Sequence, residues 1–534
     1  MKILGFYIGG HDSNIMIYDS ETKFIKYSKS ERYFGIKHHR ANLSWLKDYI
    51  NKYDFNPDVI VWTDGNRNNL GQCSSSQELY KKTTNNEINR VLGTNADCYI
   101  IDHHFGHGLS CWPLVDTDKV KYAFCSDGKG DHLDRFSIIK NPYEIIDEKY
   151  LEPGVLTKPE NIIKIKSFCP SATLDHVGIA MKLHGAVIDM AGKVMGAYAY
   201  GDIKQDHVDK CLNSPVLKNG WTSIKDMSDE DFKPLDDLLY AHALCEGPYN
   251  LDNKEFVDYL TSNHYVVGKG VESLFLENVD DKDDVITYSG GTAQNTVWNE
   301  ELFSNFKNLH IPPHPYDGGM SLGCVEFARI LFKLDKMTLP NFPYVQDDEE
   351  TSIPDESTID KVVDMLVDGK IVGWFQGAGE IGPRALGNRS ILMHPGLEKG
   401  KDIINERVKH REYWRPFAPS VLEEYAGEWF DLDVPSPYML RAVTTKEDKR
   451  KIIPSVTHKD FSSRVQTVSK EQNLLYHTLI KKFYDKTGIP LVLNTSLNDG
   501  GQPIFSYRKQ CVEFYNKVDI DAICIGSELH CKDT

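Results

Sequence analysis

Two histidines four residues apart, His103 and His107, sit in the run Ile101-Asp102-His103-His104-Phe105-Gly106-His107-Gly108-Leu109-Ser110. On a helix that spacing puts both imidazoles on one face, a turn apart, where they can reach one metal ion. Asp127 follows the strand-like run Tyr122–Ser126, and Asp317 comes much later in His314-Pro315-Tyr316-Asp317-Gly318-Gly319. Two His and two Asp make a mixed nitrogen and oxygen site, suited to Fe(II), Mn(II) or Zn(II) rather than to calcium. A chain with 19 His also produces such a pair by chance. The plainer reading is an N-capped helix whose rings bond backbone carbonyls. His11 stands in the turn Gly10-His11-Asp12-Ser13-Asn14. There it either braces the turn or serves as a phosphate contact or proton acceptor, since imidazole changes charge near neutral pH.

A second set of residues is cationic. Gly377 to Ser390 is a Gly-rich loop carrying Arg384 and Arg389, five apart. Guanidinium donates in a fixed fork, which suits an anion with several oxygens. Lys409, Arg411 and Arg415 follow, the last in Trp414-Arg415-Pro416-Phe417, then Arg464 in Ser463-Arg464-Val465-Gln466. Asn494-Thr495-Ser496 comes after the strand Leu491 to Leu493. Any one of these Arg residues fits a surface ion pair; several in Gly, Pro and Ser-rich loops of an acidic chain suggest a phosphate pocket. Lys193, among the small residues of Met190 to Ala197, is either a cation near a ligand or part of a helix contact. Gly290, Gly291 and Asn295 lie where the strand Val285 to Ser289 runs into a helix start, a place for an adenosine ribose or phosphate.

The elements that must hold these groups repeat. Ile3 to Gly9 reads as a buried strand, followed by the His11 turn and a strand over Ile15 to Tyr18. Val120 to Ser126, the turn Asp127-Gly128-Lys129-Gly130 and the strand Leu133 to Ile139 restate the plan. Two such units mark a duplicated α/β ATPase core, in which facing Gly turns hold phosphate. Residues 171–201 read as partly helical. Residues 202–284 read as polar and helical, with a solvated acidic run at Asp280 to Asp284. The prolines of Leu339 to Pro343 and the charges of Gln346 to Glu350 mark a boundary. The expected units are 1–340, a linker at 341–356, and a second α/β domain at 357–534, with a helix from Thr358 and a strand over Ile371 to Phe375.

Composition sets limits. The 534 residues suffice for two or three domains with large cores. A net charge of −17 argues against a broad grip on nucleic acid, though not against a local basic groove. Eleven Cys with no Cys-x-x-Cys imply neither a disulfide framework nor a Cys-based zinc site. The apolar start, Met1 to Gly9, is too short to span a bilayer and lacks the layout of a signal peptide. A cytoplasmic protein with no membrane association is expected, as monomer or homodimer.

With these residues in view the chain resembles the O-carbamoyltransferases that act on nodulation factors and antibiotics, over nearly its whole length. The resemblance is carried by His-His-x-x-His at 103–107, Gly-Lys-Val-Met-Gly at 192–196 and Gly-Pro-Arg-Ala-Leu-Gly-Asn-Arg-Ser at 382–390. Trp-Arg-Pro-Phe-Ala-Pro-Ser at 414–420 and Asn-Thr-Ser at 494–496 complete it. It implies an actin/Hsp70/sugar-kinase-like N-terminal domain, similar to the ATPase of tRNA threonylcarbamoyl transfer, and a YrdC-like C-terminal domain. It implies that the C-terminal domain makes carbamoyl-adenylate from carbamoyl phosphate and ATP, with Mg2+ accompanying the ATP. The intermediate would pass internally to the N-terminal domain and an acceptor hydroxyl. By position, His103, His107, Asp127 and Asp317 would hold the metal, Fe(II) first, with His11 at the transfer centre. Lys409, Arg415, Arg464, Asn494 and Ser496 would hold carbamoyl phosphate, and Arg384 and Arg389 would lie near the ATP phosphates.

The chemistry explains the residue types. Carbamate is a poor electrophile and needs an adenylate leaving group. Two anionic substrates need cations to share a pocket, and an adenylate that hydrolyses when exposed needs a closed passage. The sequence departs from the family at Gly108, where Ala is usual, at Gly377 to Glu380, and at Gln502, where an acid is usual. The acceptor should be selected by residues 130–280: an antibiotic or sugar hydroxyl by family default. An Asn, Lys, Ile and Tyr-rich composition, as in AT-rich phage or marine genomes, adds a hydroxymethyl-pyrimidine in a nucleotide or DNA. The rivals are a sugar-kinase-like phosphotransferase with Asp127 as base, and a nucleotide-gated binding protein.

Overall fold

The computed structural model describes residues 1–64, 79–83, 86–127, 136–151, 161–165, 170, 190–213, 251–347 and 350–532. The expected turn at Gly128 to Gly130, the start of the strand expected from Leu133, and much of the segments 171–201 and 202–284 lie outside them. No helix among the described residues is long and apolar enough to cross a membrane.

Among the described residues, twenty strands form three main sheets and a small ribbon. The first sheet holds β1 (Lys2–Ile8), β2 (Asn14–Asp19), β3 (Ile25–Lys29), β4 (Val59–Asp64), β5 (Tyr80–Thr83) and β6 (Asp97–Ile101). The second holds β7 (Val120–Ser126), β8 (Phe136–Lys140), β9 (Ile162–Ile165), β10 (Val285–Ser289) and β11 (Leu309–His310). Their orders are β3-β2-β1-β4-β6-β5 and β9-β8-β7-β10-β11. In each, the first three strands form an antiparallel meander, and the leading strand then pairs in parallel with the fourth. The same pattern written twice is the duplicated α/β core that the paired strand–turn–strand units predict. Both leading strands are almost wholly buried, as apolar runs with helices over the sheet must be.

Two helices pass between the sheets, His103–Leu109 and Met320–Leu331, with almost every residue buried. They cross closely: a Cβ on Gly323 would stand 2.1 Å from the carbonyl oxygen of Gly106. Only a residue without a side chain fits there. Asp102 starts the first helix, its carboxylate accepting from the Phe105 amide at 3.0 Å.

The third sheet is mixed. It contains β12 (Val372–Phe375), β13 (Arg389–Met393), β14 (Ala418–Leu422), β17 (Gln466–Val468), β18 (Leu491–Ser496), β19 (Ala522–Ile525) and β20 (Glu528–Cys531). Its order is β17-β14-β18-β13-β12-β19-β20, and a ribbon of β15 (Ala442–Thr444) and β16 (Ser462–Arg464) stands beside it. The helix Glu356–Val367, capped by Asp355, opens this unit where a helix from Thr358 is expected. The connecting segment docks on both sides. Asp347 donates its amide to the Tyr27 carbonyl at 3.0 Å, and Gln346 donates its own to Gly379 at 3.2 Å. Arg441 grips Glu300 through two bonds of 2.7 and 2.8 Å, fastening the ribbon to the helix Thr296–Asn305.

Candidate active site

The turns after β1 and β7, the helix His103–Leu109 and the loop before Met320 converge on four side chains. His103 Nε2 lies 3.2 Å from Asp127 Oδ2 and 3.4 Å from Asp317 Oδ1. His107 Nε2 lies 3.5 and 3.3 Å from the same two oxygens. Donors bound to one ion at about 2.0–2.2 Å sit about 3.0–3.5 Å apart, so the spacing suits a common cation. His107 Nε2 is buried with no hydrogen bond among the described residues, although two carboxylate oxygens face it. A nitrogen buried in this way is a donor awaiting an electrophile.

Each carboxylate keeps one oxygen for the centre and has the other tied down. Asp127 Oδ1 accepts the Gly291 amide at 3.0 Å, and Asp317 Oδ2 accepts the Tyr7 hydroxyl at 2.7 Å. Such outer contacts set ligand orientation. Burial works against charge on His103, but Asp317 and Asp127 outweigh it and hold its proton affinity well above the ordinary value. His107 moves the same way, and a divalent cation would take the place of those protons. The set of two imidazoles and two carboxylates therefore fits a borderline ion such as Fe(II), Mn(II) or Zn(II).

His11 stands beside this centre, Nδ1 3.6 Å from Asp317 Oδ2 and 2.7 Å from Asp12 Oδ2. Burial lowers its pKa, but the bond to Asp12 and the charge of Asp317 more than reverse that, raising it to about 9.

A cleft of about 1220 Å³ runs from His11, Asp127 and Asp317 to a group of cations: Arg384, Lys409, Arg411, Arg415 and Arg464. Burial, then the neighbouring Arg415, lowers Arg384 to about 10. Burial and the other guanidiniums pull Arg464 and Arg411 well below their usual values, and burial with Arg411 and Arg415 does so for Lys409. The Nε atoms of Arg411 and Arg464 have no hydrogen bond among the described residues. Lys409 is buried and the four arginines are half-buried against the cleft, and so many mutually repelling cations call for a polyanion between them. Arg411, named from the sequence among the cations but given no individual role, belongs with them; its guanidinium also stacks 4.2 Å from the Phe417 ring.

The remaining expected contacts separate into groups. Lys409 Nζ donates to the Ser496 carbonyl at 2.9 Å and to Asn498 Oδ1 at 2.6 Å, so the strand end positions it. Ser496 and Asn494 line the cleft; Asn494 donates to Ser420 Oγ at 2.9 Å, while its Oδ1 lacks a hydrogen bond among the described residues. Lys193 also lines the cleft, its charge answered by Glu412 at 3.1 Å. Arg389 requires correction: its guanidinium is fully buried on the Phe375 ring and donates to the carbonyls of Gln376, Asn388 and Gly377. It braces the loop and lies outside the cleft lining. Gly290 also lies outside it. Its φ of 91° and a Cβ position 2.2 Å from the Ser126 carbonyl make it a steric requirement of the turn. Asn295 lines the cleft, but its side chain is engaged, capping the helix Thr296–Asn305 and bonding His264 at 3.1 Å. Tyr7 went unnoticed, since nothing in a strand sequence marks which hydroxyl meets a carboxylate. Asp12 was legible as the neighbour of His11.

A model of the carbamoyltransferase N-terminus matches residues 42–325, and one of the carbamoyltransferase C-terminus matches residues 363–532. The chain belongs to the carbamoyltransferase family. It is an enzyme of that kind, as the motif resemblance implies. An uncharacterized protein of Methanocaldococcus jannaschii is 28% identical over 99% of both chains. Nodulation protein NolNO of Sinorhizobium fredii is 35% identical over 47% of this chain and 40% of its own. Nodulation protein U of the same species is 35% identical over 60% and 59%. The carbamoyltransferase chain thus spans only part of the length of these nodulation proteins. Among solved structures, full-length HypF in its phosphate- and nucleotide-bound form shares 13% identity over 61% of this chain and 55% of its own. Its TM-score is 0.31, too loose a likeness to argue from.

Proposed function

We propose that this carbamoyltransferase is an ATP-dependent O-carbamoyltransferase working in two steps within one cleft. In the first, carbamoyl phosphate loses phosphate to water, and the carbamate oxygen attacks the α-phosphorus of ATP, displacing pyrophosphate; Mg2+ accompanying the ATP would offset the charge of its phosphates. Arg384, Arg411, Arg415, Arg464 and Lys409 bring the two anions together and receive the charge that develops on the leaving phosphates. In the second, an acceptor hydroxyl attacks the carbamoyl carbon, AMP leaves, and the hydroxyl proton goes to His11 in its neutral form, the minority form below its pKa of about 9. A divalent ion held by His103, His107, Asp127 and Asp317 would polarise the carbonyl and make the hydroxyl more acidic. The observation that carries this reading is the single cleft joining the cation group to the histidine–aspartate centre.

A phosphotransferase would need Asp127 as a free base. That carboxylate is held by Gly291 and faces two imidazoles instead. The acceptor is a hydroxyl compound: a natural product, a sugar, or a hydroxymethyl-pyrimidine unit in a nucleotide or DNA.

The test supplies isotope in two positions. Labelled carbamoyl phosphate should leave its carbon on the acceptor while ATP yields AMP and pyrophosphate. Label from the γ-phosphate of ATP on the acceptor would reject the proposal. A panel of sugars, a hydroxymethylated pyrimidine nucleotide and hydroxymethylated DNA, read by mass gain, decides the acceptor.

A further inference from the structure

The first turn does more than present His11. Asp12, next to it, adopts φ 55°, a left-handed turn conformation that Asp tolerates. Asp12 is 3% exposed, and its carboxylate lies 2.7 Å from His11 Nδ1. His38 Nδ1 approaches the same oxygen at 3.7 Å. Asn14 fixes the arrangement, its Nδ2 donating to the carbonyls of Asp12 at 2.8 Å and Asp317 at 2.7 Å. One asparagine thus ties the His11 turn to the loop that carries Asp317.

Asp12, Glu31 and His38 also bring three ligand atoms within 4.8 Å of one another, the pattern of a second cation site. The charges there are already met. Lys29, with no exposed side-chain surface, puts its ammonium 3.3 Å from Glu31 Oε1, and His11 occupies Asp12. The cluster is a hydrogen-bonded support.

We propose that Asp12 is a positioning residue for carbamoyl transfer. It holds hydrogen on His11 Nδ1, leaving Nε2 as the nitrogen with a lone pair for the acceptor hydroxyl. A buried carboxylate against one imidazole nitrogen fixes ring tautomer and orientation together. The inference rests on the reading of His11 as the proton acceptor.

The full-length, Zn(II)-loaded protein with 15N-labelled histidine tests it by NMR between pH 7 and 10, the His11 resonance being identified by its loss in His11→Gln. The neutral wild-type ring should show hydrogen on Nδ1. Asp12→Asn should show it on Nε2 or exchanging between the two nitrogens, and Asp12→Glu should restore the wild-type pattern. An unchanged tautomer in Asp12→Asn would overturn the proposal, as would a wild-type ring protonated on Nε2. The remaining histidine resonances report whether the variant is folded. Failure of the carbamoyl-transfer reading shows separately, as missing carbamoyl-phosphate-dependent pyrophosphate release, and leaves this resonance unaffected.

Discussion

At the scale of single residues, the proposed chemistry is divided between two groups of side chains, and that division is testable. His103→Ala should reduce acceptor carbamoylation by roughly 10²–10⁴-fold while carbamoyl-phosphate-dependent pyrophosphate release continues. Loss of both in a folded variant contradicts the division. Lys409 supplies a pH test. Burial, Arg411 and Arg415 lower its pKa in the folded protein, so the unfolded chain binds the proton more tightly. Its share of instability is greatest at low pH and fades as pH rises from the folded value toward the ordinary 10.5. In phosphate-free buffer, the melting temperature of the wild type should rise faster with pH than that of Lys409→Met; parallel slopes would refute the strain assigned to this lysine. The residue scale is also where the sequence misled. Arg384 and Arg389 sit in one motif, yet one lines the cleft and the other packs on Phe375. A sequence shows a guanidinium but not the ring and carbonyls that receive it, because tertiary packing sets its destination.

At the scale of elements, the site depends on how closely two helices can approach. Gly323 admits the Gly106 carbonyl at a distance no side chain permits, and Gly106 lies between His103 and His107. Gly323→Ala should therefore destabilise the fold by about 1–3 kcal/mol and lower bound metal at saturation, measured by denaturant unfolding and elemental analysis. Wild-type stability together with full metal content would remove this crossing from the account. Most of the elements were readable in advance. Buried strands such as Lys2–Ile8 and Val120–Ser126 are apolar runs ended by Gly and Asp turns, and His103 and His107 carry their helical spacing openly. The crossing itself was not readable. Gly106 and Gly323 are far apart in sequence, and nothing local says that they meet.

At the scale of the whole molecule, a duplicated core and a mixed sheet share a cleft lined from both. The connecting segment, read from its prolines and charges as a linker, is hydrogen-bonded to Tyr27 on one side and Gly379 on the other. Arg441 and Glu300 add a charged clasp across the same divide. These contacts join the two sides of the cleft, an arrangement that suits the proposed adenylate intermediate. The most direct measurement mixes two disabled variants: Arg464→Ala, chosen to lose adenylate formation, and His103→Ala, chosen to lose transfer. Carbamoyl label on the acceptor is counted against the wild type. If the intermediate is made and consumed inside one chain, as proposed, the mixture should yield almost no product; restoration near the wild-type rate would show that the adenylate travels through solvent and would contradict the proposal.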